Sequence, residues 1–172
     1  MTCGLRARLL AGASLSGLMA CWHPSDSTLL TRFRANQPAF SQLVTMSDSD
    51  PRVIRIAMDF TRLDSNWAWP RPESLLGFSR PRWEQYRVLF RDLKLESGLS
   101  RERLRDGTLV IFLTASSMGI VNRGSSKGYA YSTGHLAPIV GSLDSPRALR
   151  DDQPHGVVYR EIGGGWYLEY DW

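Results

Sequence analysis

The closing run Trp166-Tyr167-Leu168-Glu169-Tyr170-Asp171-Trp172 alternates with a period of two, and that alternation constrains the whole chain. Trp166, Leu168, Tyr170 and Trp172 share one face of a strand, so the aromatic face must be buried against something. Tyr167, Glu169 and Asp171 fall on the other, which is expected to face water. Gly163-Gly164-Gly165 precedes this run and Gly156 to Ile162 reads as a second strand, so the two form a hairpin. A two-residue turn at Gly163-Gly164 would set Glu161 opposite Trp166. A three-residue turn pairs Ile162 with Trp166 and brings Arg160 among the aromatics, where its guanidinium can stack on a ring. The second register is the expectation.

The rest of the pattern supplies layers to cover that face. Asp26 or Ser27 caps a helix with Leu29, Leu30 and Phe33 on one side, and Asn36 before Gln37-Pro38 marks a second start that continues through Phe40, Leu43 and Val44. One kinked helix or two short ones are expected there. Ile54, Ile56, Met58 and Phe60 alternate with polar or small residues as a half-buried strand, and Asp64 to Phe78 reads as a loop. Ser79 caps a helix carrying Trp83, Tyr86, Phe90 and Leu93 as far as Gly98, with a short helical turn after Ser100. Thr108 to Ala115 reads as a central strand, and Asn122 to Gly128 as a polar hairpin tip between Ile120-Val121 and Tyr129-Ala130-Tyr131. Thr133 to His155 is irregular. The expected fold is α+β, an antiparallel sheet of about four to five strands with two main helices packed on one side.

The N-terminus carries an address. Arg6 and Arg8 precede an apolar and small-residue run from Leu9 to Ala20, too short to cross about 30 Å of hydrocarbon as a helix, so it reads as a leader. Leu18-Met19-Ala20-Cys21 resembles the lipobox of bacterial lipoproteins. The resemblance implies removal of residues 1–20 and acylation of Cys21 with diacylglycerol and usually a third chain such as palmitate. Trp22, where Asp would signal inner-membrane retention, implies the periplasmic face of the outer membrane. Residues 21–26 would then be a short tether and 27–172 a single domain held close to the membrane. Lys127-Gly128-Tyr129-Ala130-Tyr131, Ser142-Leu143-Asp144, Tyr159-Arg160 and Trp166-Tyr167-Leu168 resemble small envelope lipoproteins of Gram-negative bacteria, a resemblance that implies no activity and no site residues.

Composition agrees with an envelope domain. The only cysteines are Cys3, within the leader, and Cys21, so the mature chain would hold no free thiol, disulfide or Cys-ligated zinc. The net charge is +4, and losing Arg6 and Arg8 leaves 19 basic against 17 acidic residues, or +2. The basic pI of 9.4 therefore overstates any cationic patch, and nucleic acid is not expected as a partner.

The chemical motifs fail one by one. Gly119 and Gly124 have P-loop spacing, but Ser125 stands where Lys is needed. Ser125-Ser126-Lys127 is one residue short of a Ser-x-x-Lys dyad. His23, His135 and His155 form no spaced ligand pair, so neither metal nor cofactor is expected. Ser116 or Ser117, His135 or His155, and Asp144, Asp151 or Asp152 make a triad on paper without a nucleophile elbow.

Aromatic and arginine side chains suited to binding remain. The sequence predicts a non-enzymatic, periplasm-facing lipoprotein that binds a protein partner, through Trp67, Trp69 and Arg71 of the Trp67 to Pro72 loop and Asn122, Arg123 and Lys127 of the polar tip. Tyr129 and Tyr131 are expected in the core. The alternatives are an immunity or inhibitor lipoprotein that neutralises an envelope-acting toxin or hydrolase, and a cell-wall or ester hydrolase.

Overall fold

The C-terminal hairpin forms as strands β7 (Val157–Gly163) and β8 (Trp166–Asp171), joined by Gly164 and Gly165. The structure, a computed structural model, describes residues 23–63, 66–68, 78–120, 123–144 and 155–172. Both turn glycines have positive φ, 64° and 79°, the pattern of a primed two-residue turn that few other residues accept. Neither expected turn is the one formed, because Gly163 pairs with Trp166 and a bulge at Ile162 absorbs one residue. That bulge restores the face: Arg160 lies opposite Leu168, on the aromatic side.

The other elements are α1 (Asp26–Ala35), α2 (Gln37–Ser49), β1 (Val53–Ile56), β2 (Thr61–Leu63), β3 (Asn66–Ala68), α3 (Arg80–Asp92), β4 (Gly98–Arg103), β5 (Leu109–Ile120) and β6 (Arg123–Ser132). The strands make one eight-stranded sheet in the order β3-β2-β1-β4-β5-β6-β8-β7, antiparallel at every step. The α+β class and the one-sided helices are as expected. The sheet is wider than four or five strands, and there are three helices among the described residues.

The extra strands come from segments read otherwise. The strand over 54–60 stops at Ile56; the Ala57 amide bonds to the Phe60 carbonyl at 2.8 Å and the chain returns as β2. Asn66–Ala68, read as loop, pairs with β2 as β3. Gly98 does not end α3, which stops at Asp92, and the helical turn expected after Ser100 is strand β4. At Gly98 φ is +74° and a Cβ would lie 2.1 Å from the Ile56 carbonyl oxygen, so only glycine lets β4 approach β1 this closely.

Ser25 caps α1 by accepting the Thr28 amide at 3.2 Å, and Ser79 caps α3 by accepting the Arg82 amide at 3.3 Å. Asn36 separates α1 from α2, with Pro38 in the first turn of the latter. Trp83 Nε1 donates to the Ala57 carbonyl at 2.9 Å and fastens α3 beside β1. No helix among the described residues is long and apolar enough to cross a membrane.

Register explains the helix-side core. Ile56, Leu99, Leu113, Tyr129 and Leu168 stand side by side across five adjacent strands, and none is more than 1% exposed. Over them pack Phe33 and Phe40 from the first two helices, with ring centroids 4.6 Å apart for Phe40 and Tyr129 and 5.2 Å for Phe33 and Trp166. Tyr129 is core, as its strand face implied. Its hydroxyl donates to the Leu29 carbonyl at 3.0 Å, and burial pushes its pKa up to about 12.

The opposite face of β8 is not open to water as expected. Tyr167 packs with Val110, Ala130, Leu136 and Tyr159 in a second, smaller apolar cluster without helical residues. The irregular segment supplies part of it: the Val140 amide bonds to the Tyr159 carbonyl and the Tyr159 amide to the Pro138 carbonyl, covering the edge strand β7.

Trp166 touches Phe33, Phe40 and Tyr131, so Trp166→Ala should lose about 3 to 5 kcal/mol in denaturant unfolding. A midpoint unchanged from the parent would contradict this packing.

Candidate functional site

Of the six residues expected to form a binding surface, Trp67, Arg123 and Lys127 fall among the described residues. Trp69, Arg71 and Asn122 lie outside the described residues. Trp67 belongs to β3, its backbone paired with Arg62, and Arg123 opens β6 opposite Ile120. Lys127 corrects the reading most directly. It is 2% exposed, sits within β6 and not at a tip, and its ammonium lies 2.7 Å from both Asp26 Oδ1 and Asp144 Oδ1. A buried cation with two carboxylates is a cross-link, unavailable to a partner.

Asp26 is the other half of that cross-link. Its Oδ2 accepts from the Leu143 amide at 2.9 Å, from Arg160 at 2.8 Å and from the Ser142 hydroxyl at 3.2 Å. Asp144 Oδ1 in turn accepts the Asp26 amide at 2.8 Å, so two carboxylates and two cations join α1, β6, β7 and the 142–144 segment. Burial alone would raise the Asp26 pKa, but Lys127, the Leu143 amide and Arg160 outweigh it and hold the carboxyl below the usual range. Residues 23–26 are consequently docked on the sheet, which shortens the expected 21–26 tether.

His23 shows the same docking. Its Nδ1 lies 2.6 Å from Ser116 Oγ and its Nε2 2.8 Å from Ser125 Oγ, while Tyr170 meets the ring edge-on. The Ser-His contact thus uses neither His135 nor His155, and Ser117 is engaged with Ser97 at 3.1 Å. Sequence spacing could not reveal a pair 93 residues apart.

The helix-free face carries a cleft of about 1150 Å³. It runs from Arg55 on β1 across Ser100 and Glu102 on β4, Phe112, Thr114 and Ser117 on β5, and Ser126 on β6, to Tyr159, Glu169 and Asp171 on β7 and β8, with His155 at the rim. Alternation puts Arg55, Ser100, Phe112, Thr114, Tyr159 and Glu169 there, since each neighbours a core residue facing the helices. Thr114, Gly128, Glu169 and Tyr159 form one cross-sheet row, and Gly128 leaves a gap in it beside Glu169. A Cβ at Gly128 would lie 2.2 Å from the Leu113 carbonyl oxygen, at the bulge where β5 shifts register.

Glu169 is the chemically unusual member. It is 5% exposed and makes no hydrogen bond or ion pair with any described residue. Burial raises its pKa to about 8, helped by the charges of Asp171 and Glu102, so it is largely protonated at neutral pH. Burial also raises Asp171, against the pull of His155, and raises the Tyr159 hydroxyl beside three carboxylates. Arg55 at the far end is pushed down by burial and by Arg62, and its Nε is buried without a partner. Among the described residues no group of three or more His, Cys, Asp or Glu side chains converges to hold a metal ion. Sequence alternation had flagged Glu169 only as solvent-facing, whereas it is buried opposite Tyr159 of β7.

Lys127→Met should lose about 3 to 5 kcal/mol, read by urea unfolding, because Asp26 stays buried with one cation fewer. Glu169 carries an opposite signature. A folded-state pKa near 8 against an ordinary 4.5 makes stability fall as pH rises from about 4.5 to about 8 and level off above it. Glu169→Gln should remove that fall, gaining about 5 kcal/mol at pH 8.5 and little at pH 4.5; parallel pH profiles for variant and parent would show Glu169 to be ionised in the folded protein. No protein-family model, curated protein or solved structure matches this chain.

Proposed function

We propose that the chain is a non-enzymatic, lipid-anchored binding protein on the periplasmic face of the outer membrane, and that its cleft receives a protein partner. The observation that carries the reading is the cleft of about 1150 Å³ on the helix-free face, which contains a buried carboxyl that no described neighbour satisfies. Open concave surfaces with a few converging polar groups are where binding residues concentrate. The anchor is part of the same proposal and rests on Leu18-Met19-Ala20-Cys21. With His23 bonded to Ser116 and Ser125, the sheet would sit within about 7 Å of chain from the acylated residue, so its partner would be met at the membrane surface. Neutralising an envelope-acting toxin or hydrolase is one form of this role.

A hydrolase is the second reading, favoured by the 2.6 Å contact between Ser116 Oγ and His23 Nδ1. Both ring nitrogens of His23 are used by serines, and neither His23 nor Ser116 lines a described cleft. Fluorophosphonate labelling that disappears in Ser116→Ala would favour this reading over binding.

Pull-down from envelope extract tests the proposal. Thr114→Trp and Ser117→Trp fill the cleft without entering the helix-side core, and both should lose the parent's partners while keeping its melting temperature. Partners retained by both cleft variants but lost with Trp69→Ala and Arg71→Ala would place binding on the 67–72 segment instead. For the anchor, Cys21→Ser should release the protein from the outer-membrane fraction; unchanged fractionation would refute acylation.

A further inference from the structure

We infer that the acidic end of the cleft, lined by Glu102, Glu169 and Asp171 with Tyr159, is a subsite for one organic cation, an arginine or lysine side chain presented by the bound protein. The inference rests on the cleft-binding reading and names the chemistry of its partner. Three observations carry it.

First, Glu169 lines the cleft at 5% exposure and has no hydrogen bond or ion pair with any described residue. A largely buried carboxyl without a protein partner is costly, and Glu169 meets the cleft, from which a partner can arrive. Second, the charges around it have one sign. Glu102 from β4 and Asp171 from β8 act on Glu169, and both act with it on Tyr159. β5 and β6 contribute hydroxyls, chiefly Thr114, Ser117 and Ser126, and β7 contributes Tyr159. Among the described residues, the positive groups facing the cleft are Arg55 on β1, itself under the influence of Arg62 on β2, and His155, which acts on Asp171. None of them is paired with Glu169. Third, Gly128 brings no side chain into the row between Thr114 and Glu169, which leaves lateral access to the carboxyl.

The walls fit the stem of such a side chain as well as its head. Phe112 and Val157 line the cleft and pack against the second apolar cluster, offering surface for methylenes while the charged end reaches the carboxylates. A metal ion is a poor occupant, because the described carboxylates do not converge on one point. A guanidinium or ammonium spreads its donors over several ångströms and does not need them to.

The site would also be coupled to protons. A cation prefers ionised Glu169, whose pKa of about 8 must then fall, so binding at neutral pH releases a proton and tightens as pH rises towards 8.

The test uses the full-length chain in detergent with N-acetyl-arginine methylamide as the probe and its uncharged citrulline counterpart as the control. Isothermal titration at pH 7 in buffers of different ionisation heat, with amide NMR shifts to locate the site, should show arginine bound about tenfold more tightly than citrulline. It should also show net proton release and shifts at β7 and β8. Glu169→Gln, whose fold the thermal melt verifies, should lose about tenfold in arginine affinity and all the proton release. Equal affinity for the two probes, binding unchanged in Glu169→Gln, or tighter binding of N-acetyl-glutamate methylamide would overturn the subsite. If Thr114→Trp still abolishes partner capture in that case, the cleft reading survives and only the cationic chemistry is wrong. If it does not, both fall.

Discussion

Asp26 is 2% exposed at the first turn of α1, and the charge it carries must be compensated inside the protein. Lys127 and Arg160 reach it from β6 and β7, and the Leu143 amide reaches it from the irregular segment. Each partner comes from a different part of the chain, so ionised Asp26 is tolerable only when helix, sheet and segment are all in place. The N-terminus of α1 adds its own positive end. A buried pair of this kind contributes little net stability against an apolar alternative, but breaking it is expensive, which makes the arrangement specific. It also holds 142–144 while the same segment covers β7 through Pro138 and Val140.

The two faces of the sheet solve different problems. On the helix side, a row from Ile56 to Leu168 meets Phe33, Phe40 and the α3 aromatics, and Tyr129 and Trp83 find hydrogen-bond partners there. Across the sheet, among the described residues, no helix covers the strands. The small cluster around Tyr167 closes one part of that face, and the rest is cleft. Glu169 sits where the two meet. Burial raises its pKa to about 8, and a glutamine or an apolar side chain would fit there with less cost. Proteins keep such groups at sites where a partner completes them.

Much of the local structure is legible in the residues. Ser79 caps its helix as expected, whereas α1 is capped by Ser25 and not by Asp26 or Ser27, which lie within its first turn; Asn36 divides the first helical stretch, and the glycine run turns the last hairpin through positive φ. Arg160 reached its expected face even though the turn differed, because period-two alternation tolerates any path that preserves parity and the Ile162 bulge did so. Signals shared by two structures were misread. Gly98 looks like a helix stop and is a close contact with β1; Trp67 looks like loop and is strand; Ser125 to Lys127 looks like a polar tip and is the interior of β6. In each case the deciding contact comes from residues distant in the chain.

The alternation of Trp166 to Trp172, the helix caps and the apolar stripes are short-range patterns, and they were enough to dictate an α+β domain with helices on the aromatic side of its sheet. The width of the sheet, the burial of Lys127 against Asp26, and the enclosure of Glu169 depend on which strands become neighbours. Asp26 and Lys127 are about a hundred residues apart in the chain, and Glu102 acts on Glu169 only because the strands between them pair antiparallel and bring their cleft-facing residues together. Charge and burial in this protein are properties of that assembly. An isolated Glu or Lys carries no sign of the company it will keep, so the layers could be read along the chain while the candidate site could not.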